Sequence, residues 1–186
     1  MIVNHQVDLR TRAGYRVRRP ENLHRLAGVL LEDQGSSIAL TQGWFDDASH
    51  AHDYVTSFDA VLEVTNPAGE LCGALLVGPT FDIARHAFVS IFLAPAQRRT
   101  RAFGAIMLGL GAIFDLCDVH RLRFDVVVDE RVPLLRLASR LPTEGVRRDW
   151  VYRDGQFFDC QMFSISRFEW ETLGFARICG QILDSR

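Results

Sequence analysis

The chain contains no lysine: every one of its 21 Lys-plus-Arg positions is Arg. Chemistry that needs a Schiff-base lysine or the lysine of a Walker-type phosphate loop is therefore excluded. Phosphate recognition falls to arginine, which keeps its charge and grips oxyanions bidentately. A genome rich in G and C would give the same bias. Close cysteine pairs are also missing. Cys72, Cys117, Cys160 and Cys179 stand far apart, which rules out a zinc knuckle or a CxxC redox motif. No apolar run is long enough to span a bilayer. The longest, Gly104 to Leu116, runs into Asp115 and Asp118. Met1 to Arg19 is polar and lacks the apolar core of a signal peptide. These absences predict a soluble cytoplasmic protein. Excess charge of either sign is lacking too. The net charge of −2 gives no global electrostatic case for nucleic acid or an anionic membrane. No repeat, linker or low-complexity segment breaks the chain. With 48% hydrophobic and 24% charged residues, its 186 residues read as one globular domain, 1–186.

Asp8 to Arg19 reads as a short strand or hairpin ending at Pro20. Leu23, Leu26, Ala27, Leu30 and Leu31 recur at helical spacing and predict a helix over Glu21 to Asp33. Trp44 to Ser57 reads as a second helix, with Asp46 or Asp47 near its start. Ala60 to Thr65 and Glu70 to Val77 form a predicted hairpin around Asn66-Pro67-Ala68-Gly69, closed by Gly78-Pro79. His86 to Leu93 alternates between two faces, as a strand does. A basic loop, Gln97 to Gly104, leads to an apolar helix over Ala105 to Leu116 and a strand over Arg121 to Val128. A helix over Leu134 to Leu141 follows. Two strands, Val146 to Tyr152 and Phe157 to Ile165, turn at Arg153-Asp154-Gly155-Gln156. The tail, Phe168 to Leu183, reads as part helix. The fold class is α+β: a mixed, mainly antiparallel sheet with His86–Leu93 parallel to Arg121–Val128 and a helix crossing between them.

Strand, Pro, Arg-rich loop and helix make an anion-binding layout. A helix start offers unpaired N–H groups and partial positive charge. Arg98, Arg99 and Arg101 add charge, while Ala102, Gly104 and Ala105 let a pyrophosphate approach the backbone. A solvated basic loop is the plainer alternative.

This block, Arg99-Thr100-Arg101-Ala102-Phe103-Gly104, resembles the acyl-coenzyme-A loop of the GNAT N-acetyltransferases, with Ala in place of the first glycine. Tyr15 to Glu21, His120-Arg121, Glu144 to Arg148, Asp154 to Asp159 and Glu169-Trp170 are similar to segments of the RimJ/RimL-type branch. The likeness runs from about Tyr15 to Trp170. It implies a GNAT fold whose parallel pair splays apart. It also implies that Phe92, Leu93 and Ala94 pair with the pantetheine arm of acetyl-CoA, and that Arg98, Arg99, Thr100, Arg101, Ala102, Phe103, Gly104 and Ala105 hold its pyrophosphate. The implied reaction is direct attack of a primary amine, a protein N-terminus or a small metabolite, on the thioester, with no metal. The family's Asn and Ser after its fifth strand are replaced by Asp129 to Pro133, and Ala105 stands where many relatives carry Glu. These departures keep open a coenzyme-A-binding or regulatory protein without catalysis, another acyl donor, or a nucleic-acid-linked amine.

Candidate catalytic residues are Asp125, Ser90, His86 and Ser139. Asp125 interrupts an apolar strand, so it is either paired with Arg123 or a base of raised pKa. His86 and Ser90 share a strand face with Phe88 and Phe92, as base and water anchor or as a satisfied polar pair. Ser139 and Tyr152 are hydroxyls that could protonate a leaving thiolate. His50 and His52 sit on different helical faces, which argues against a shared metal, yet either could line the acceptor pocket together with Tyr152. The Phe157-Phe158 hairpin and the tail carry apolar surface for a homodimer contact.

Overall fold

The computed structural model describes residues 7–32, 47–81, 85–93, 102–127, 142–153, 155–175 and 177. Eight strands form one sheet. They are β1 (Asp8–Arg10), β2 (Arg16–Arg18), β3 (Ala60–Thr65), β4 (Leu71–Phe81), β5 (His86–Leu93), β6 (Arg121–Val127), β7 (Thr143–Arg153) and β8 (Gln156–Ser166). Their order is β1-β2-β3-β4-β5-β6-β8-β7. Neighbours are antiparallel except β5 and β6, which run parallel, as the helix between the two segments implies. The described helices are α1 (Leu23–Glu32), α2 (Ala48–Thr56), α3 (Ala102–Leu116) and α4 (Arg167–Thr172).

Local chemistry sets the boundaries. The Asn66 side chain accepts hydrogen bonds from the N–H groups of Ala68 and Glu70, and Gly69 takes φ +82°, so the β3–β4 turn closes where the sequence places it. Asp47 is the N-cap of α2 and accepts from His50 N at 2.9 Å. Ser166 and Glu169 form a capping box that starts α4 at the end of β8.

Several boundaries differ from expectation; β7 begins at Thr143 rather than Val146. Strand β4 does not close at Gly78-Pro79 but continues to Phe81. The register shifts between Val77 and Thr80, and that bulge absorbs a proline that cannot donate to a ladder. Gly78 has φ +147°, and a Cβ there would stand 2.9 Å from Asp59 N. The crossing helix begins at Ala102, so Ala102, Phe103 and Gly104 belong to its first turn rather than to the preceding loop. The expected helix over Leu134 to Leu141 lies outside the described residues.

The sheet separates two cores. On one face, α3 packs with Val17, Leu75, Val89, Ile91, Leu122 and Phe124. On the other, α1 and α2 pack Leu26, Leu30, Ala51 and Val55 against Ala74, Leu76 and Phe92. Strand β5 thus divides its side chains, with Ala87, Val89 and Ile91 toward α3 and Phe92 toward α1 and α2. Nearly every described side chain of α3 is buried. Its seat depends on Gly109, where a Cβ would lie 2.6 Å from Leu75 Cδ1 and 3.4 Å from Val17 Cγ1. Gly109→Ala should therefore lower stability in urea titration by about 1–3 kcal/mol, the usual cost of overpacking. Combining it with Leu75→Val, which shortens the obstructing side chain, should cost less than the two single changes summed.

Candidate functional site

Strands β5 and β6 pair at three positions only: His86 with Arg121, Ala87 with Leu122 and Phe88 with Arg123. Beyond Phe88, β5 pairs with β4 alone, through Val89, Ser90, Ile91, Phe92 and Leu93. Beyond Arg123, β6 pairs with β8 alone, through Phe124 to Val127. The sheet therefore forks. Two strand edges face each other across the gap with no ladder between them among the described residues. Backbone amides on such edges require partners, and a ligand that carries amides of its own can supply them.

The closed end of the fork is tied down. His120 N and Arg121 N both donate to Arg85 O, at 2.6 and 3.2 Å. Arg167 N donates to His120 O at 2.8 Å, and the Arg167 guanidinium reaches Phe114 O at the end of α3. Because β5 and β6 run parallel, α3 must return along them. Its N-terminus at Ala102 therefore belongs to the open end of the fork, where β5 finishes. Free N–H groups and the positive end of the helix dipole favour an anion there.

The three described catalytic candidates share the face that bears α1 and α2. Phe124 and Val126 point to the α3 core, so Asp125 points the other way, as does Ser90 between Val89 and Ile91. Counted from the last pair, Phe88 with Arg123, Ser90 and Asp125 are each two residues further on. They stand on the two banks of the opening at the same level. His86 lies in the zipped portion, opposite Arg121, about 13 Å along the strand from Ser90.

Ser90 is 4% exposed, and its Oγ has no hydrogen-bond partner among the described residues at normal distance. It comes close enough to the Tyr54 phenol of α2 to act on its ionisation. Burial raises the Tyr54 pKa and Ser90 pulls against it. Sequence reasoning passed over Tyr54. Its only signal was a polar-tipped ring on the apolar face of α2, one position before the buried Val55. His52 points to α1, stacked on His24 with ring centroids 3.9 Å apart, and its Nδ1 is buried without a hydrogen bond in the described structure. His50 is exposed.

Asp125 does pair, but not with Arg123 as the strand alternation suggests. Its Oδ2 accepts from Arg147 Nη1 at 3.1 Å, while Arg123 Nη2 turns to Glu144 Oε2 at 3.0 Å. The reason is cross-strand. Asp125 registers with Met162 and Met162 with Gly145, which brings β7 side chains over β6. Arg121 donates to Ser164 Oγ at 2.7 Å and approaches Glu144 at 3.4 Å. Burial raises the Asp125 pKa and outweighs the opposing pull of Arg147 and Arg123. Glu144 moves the other way, held down by a hydrogen bond from Ser164 and by the neighbouring arginines. The Arg147 guanidinium lies 4.7 Å over the Trp150 ring.

Tyr152 is far from this opening. It packs on Phe157 at 4.9 Å at the tip of the β7–β8 hairpin, and 58% of it is exposed. Phe157 is five residues along β8 from Met162, about 17 Å from the Asp125 level. Of the residues that the resemblance implies for coenzyme A, Ala94, Arg98, Arg99, Thr100 and Arg101 lie outside the described residues, as does Ser139. Of the remaining members, Leu93 ends β5 opposite Gly73, Phe92 is buried against α1 and α2, and Ala102 to Ala105 form the first turn of α3. No group of three or more metal-ligating side chains occurs among the described residues. No helix of those residues is long and apolar enough to cross a membrane.

No protein-family model matches the sequence, and no curated protein matches it. Solved structures do. A GCN5-related N-acetyltransferase from Brucella melitensis superposes with TM-score 0.66 at 19% identity, over 93% of this chain and 85% of that one. A variant of the spermidine N-acetyltransferase of Vibrio cholerae superposes with TM-score 0.67 at 17% identity, over 88% of this chain and 98% of that one. The likeness shows the fold: a mixed, mostly antiparallel sheet with one parallel pair, as in the GNAT N-acetyltransferases.

The described thiols that pack against the sheet are buried. Burial pushes Cys160, between the β6 and β7 networks, up to about 12, and Cys72 likewise to about 12. At pH 8 only about one such thiol in ten thousand is thiolate. Iodoacetamide at pH 8 should leave Cys72 and Cys160 unmodified in the native protein and label both in urea, read site by site by mass spectrometry.

Proposed function

We propose that the chain is an acyl-CoA-dependent N-acyltransferase that moves acetyl from acetyl-CoA to a primary amine. The observation that carries this reading is the fork, with two unpaired strand edges and a helix N-terminus at its open end. Pantetheine has two amides in an extended arm, which suits an unpaired strand edge. The pyrophosphate is an anion, which suits the helix start. In this reading the backbone of Phe92, Leu93 and Ala94 holds the arm, and the segment Arg98 to Ala105 holds the pyrophosphate. The GNAT fold of the neighbours supports the same assignment.

The chemistry is direct transfer. The amine nitrogen attacks the acetyl carbonyl carbon, the C–S bond breaks, the amine loses a proton, and the thiolate leaves and is reprotonated. The protein's part is to align the reactants and manage two protons. Asp125 is the base in this reading. It stands on the bank of the opening, and burial favours its protonated form, so it accepts a proton more readily than an ordinary carboxylate. Ser90 and Tyr54, on the other bank, are the hydroxyls available to the leaving sulfur. The ion pair of Asp125 with Arg147 favours a second reading, a coenzyme-A-binding protein without turnover, since it occupies the base.

The chain reads as one acyltransferase domain of the RimJ/RimL-type branch, working in the cytoplasm. Exposed Tyr152, Phe157 and Val146 on the hairpin support a homodimer contact.

Thioester release from acetyl-CoA with a broad amine panel separates turnover from mere binding. Asp125→Asn should cut kcat by about 10²–10⁴, the range for a lost general base, and leave coenzyme A affinity nearly unchanged. Since the folded pKa of Asp125 is raised, wild-type activity should fall on acidification at a pH above the ordinary carboxylate value, and that limb should vanish in the variant. In calorimetric titrations, Arg99→Ala and Arg101→Ala should each weaken coenzyme A by about 1–3 kcal/mol. Gly104→Val should weaken it more, because its bulk obstructs the backbone approach. Unchanged affinity in all three would remove this loop from the coenzyme site.

A further inference from the structure

Resting on the reading of the fork as an amine N-acyltransferase site, we infer that the acceptor carries a carboxylate or another oxyanion besides its amine, bound by Arg123 and Arg147 on the open face of β6 and β7. The charges on this face are layered. Asp125 lies underneath, its side chain 9% exposed, while Glu144, at 28%, lies near the level of Arg121. Arg123 and Arg147 stand out furthest, 46% and 41% exposed, with Arg121 at 31%. An approaching molecule therefore meets arginine, although acids and bases are nearly balanced in number.

The acids also hold the arginines in place. Arg123 is fixed through Nη2 to Glu144, and Arg147 through Nη1 to Asp125 with Trp150 behind its plane. Each planar guanidinium has five donors, so a contact on one edge leaves others for a ligand, in a geometry that suits a carboxylate or phosphate. The pairs of Arg121 and Arg123 with Glu144 are partly exposed and add little to stability, so these two arginines are poorly explained as structural braces, whereas Arg147 also neutralises the buried Asp125.

Their position ties them to the chemistry. Arg123 is the last residue of β6 that still pairs with β5, at the root of the fork, and Asp125 is two residues further on the same face. That separation is about 7 Å, a reach that one small molecule bridges with an oxyanion on Arg123 and an amine at Asp125. The packed cluster under α1 and α2 takes its sheet residues from β3, β4 and β5, which leaves this half of the face clear of those helices. A polyamine bearing several positive charges would meet guanidiniums in the same place and be repelled.

The test uses matched acceptors with acetyl-CoA: phenylalanine against phenylalaninamide, aminoethylphosphonate against ethanolamine, and spermidine alone. Wild type should prefer the anionic member of at least one pair by roughly tenfold in kcat/KM, equivalent to about 1.4 kcal/mol, and should use spermidine worst. Which pair shows the preference identifies a carboxylate or a phosphonate-like group. Arg123→Gln should bring that ratio toward one by raising KM for the anionic acceptor, with the KM for acetyl-CoA unmoved. Arg123→Lys, which keeps the charge but loses the fork, should restore part of the ratio. Circular dichroism melting checks that each variant is folded; Arg147→Gln also removes the partner of Asp125, so it is read by the ratio of anionic to neutral acceptor and not by its absolute rate. Turnover that is equal or better with the neutral and cationic acceptors, or a preference that survives both glutamine variants, overturns the inference and leaves the acyltransferase reading standing. Absence of turnover with every amine overturns that reading, and the inference with it.

Discussion

A parallel strand pair that stops after three residue pairs leaves a sheet with two edges in its interior. Buried backbone donors and acceptors do not stay unpaired without cost, so whatever occupies the gap contributes hydrogen bonds that the chain has withheld from itself. The rest of the site is arranged around this parting. The hydrogen bonds of Arg85 with His120 and Arg121 fix where the pair begins, and α3 returns its N-terminus to where the pair ends. The absence of a side chain at Gly109 sets how deeply the helix beds on the sheet beside the gap. The pleat then assigns Ser90 and Asp125 to one face at one level, on the two banks of the gap.

The elements nearest the parting were legible because their signals are local. Ala60–Thr65 and His86–Leu93 have the bounds that alternation and turn residues imply. The apolar crossing helix and the parallel pair followed from order alone. What was not legible depends on long-range register or on strain. A strand passing through Gly78-Pro79 looks like a strand ending there until the bulge opposite Phe88 is known. Three helical residues, Ala102 to Gly104, read as loop because small residues beside arginines carry no helical period.

The candidate site was legible in part. Asp125 and Ser90 could be found because each is a polar residue at an apolar position, and the pleat brought them to the same face. The partner of Asp125 could not. Arg147 is 22 residues away, and its approach depends on β8 lying between β6 and β7 and on register shifts near Gly145 and Arg147. Tyr152 failed for the opposite reason: a hairpin of eleven-residue strands carries its tip well beyond the fork. Tyr54 and His24 were missed because a helix packed on a sheet faces it with residues that sequence reads as ordinary core or surface.

The strand order also has a consequence for how the molecule is made. Strand β8 comes after β7 in the chain but lies inside the sheet, between β6 and β7. As the chain leaves the ribosome, β6 can dock on β5, yet its other edge stays bare until Ser166 has emerged. The Arg167 contacts that fasten the root of the fork to the end of α3 come one residue later. Contacts spanning about fifty residues close slowly. The fork is thus the last part of the sheet to be completed. A nascent chain halted within β8 would carry both helical layers but no finished opening, exposing a hydrophobic strand edge at which chaperone engagement or premature self-association would begin.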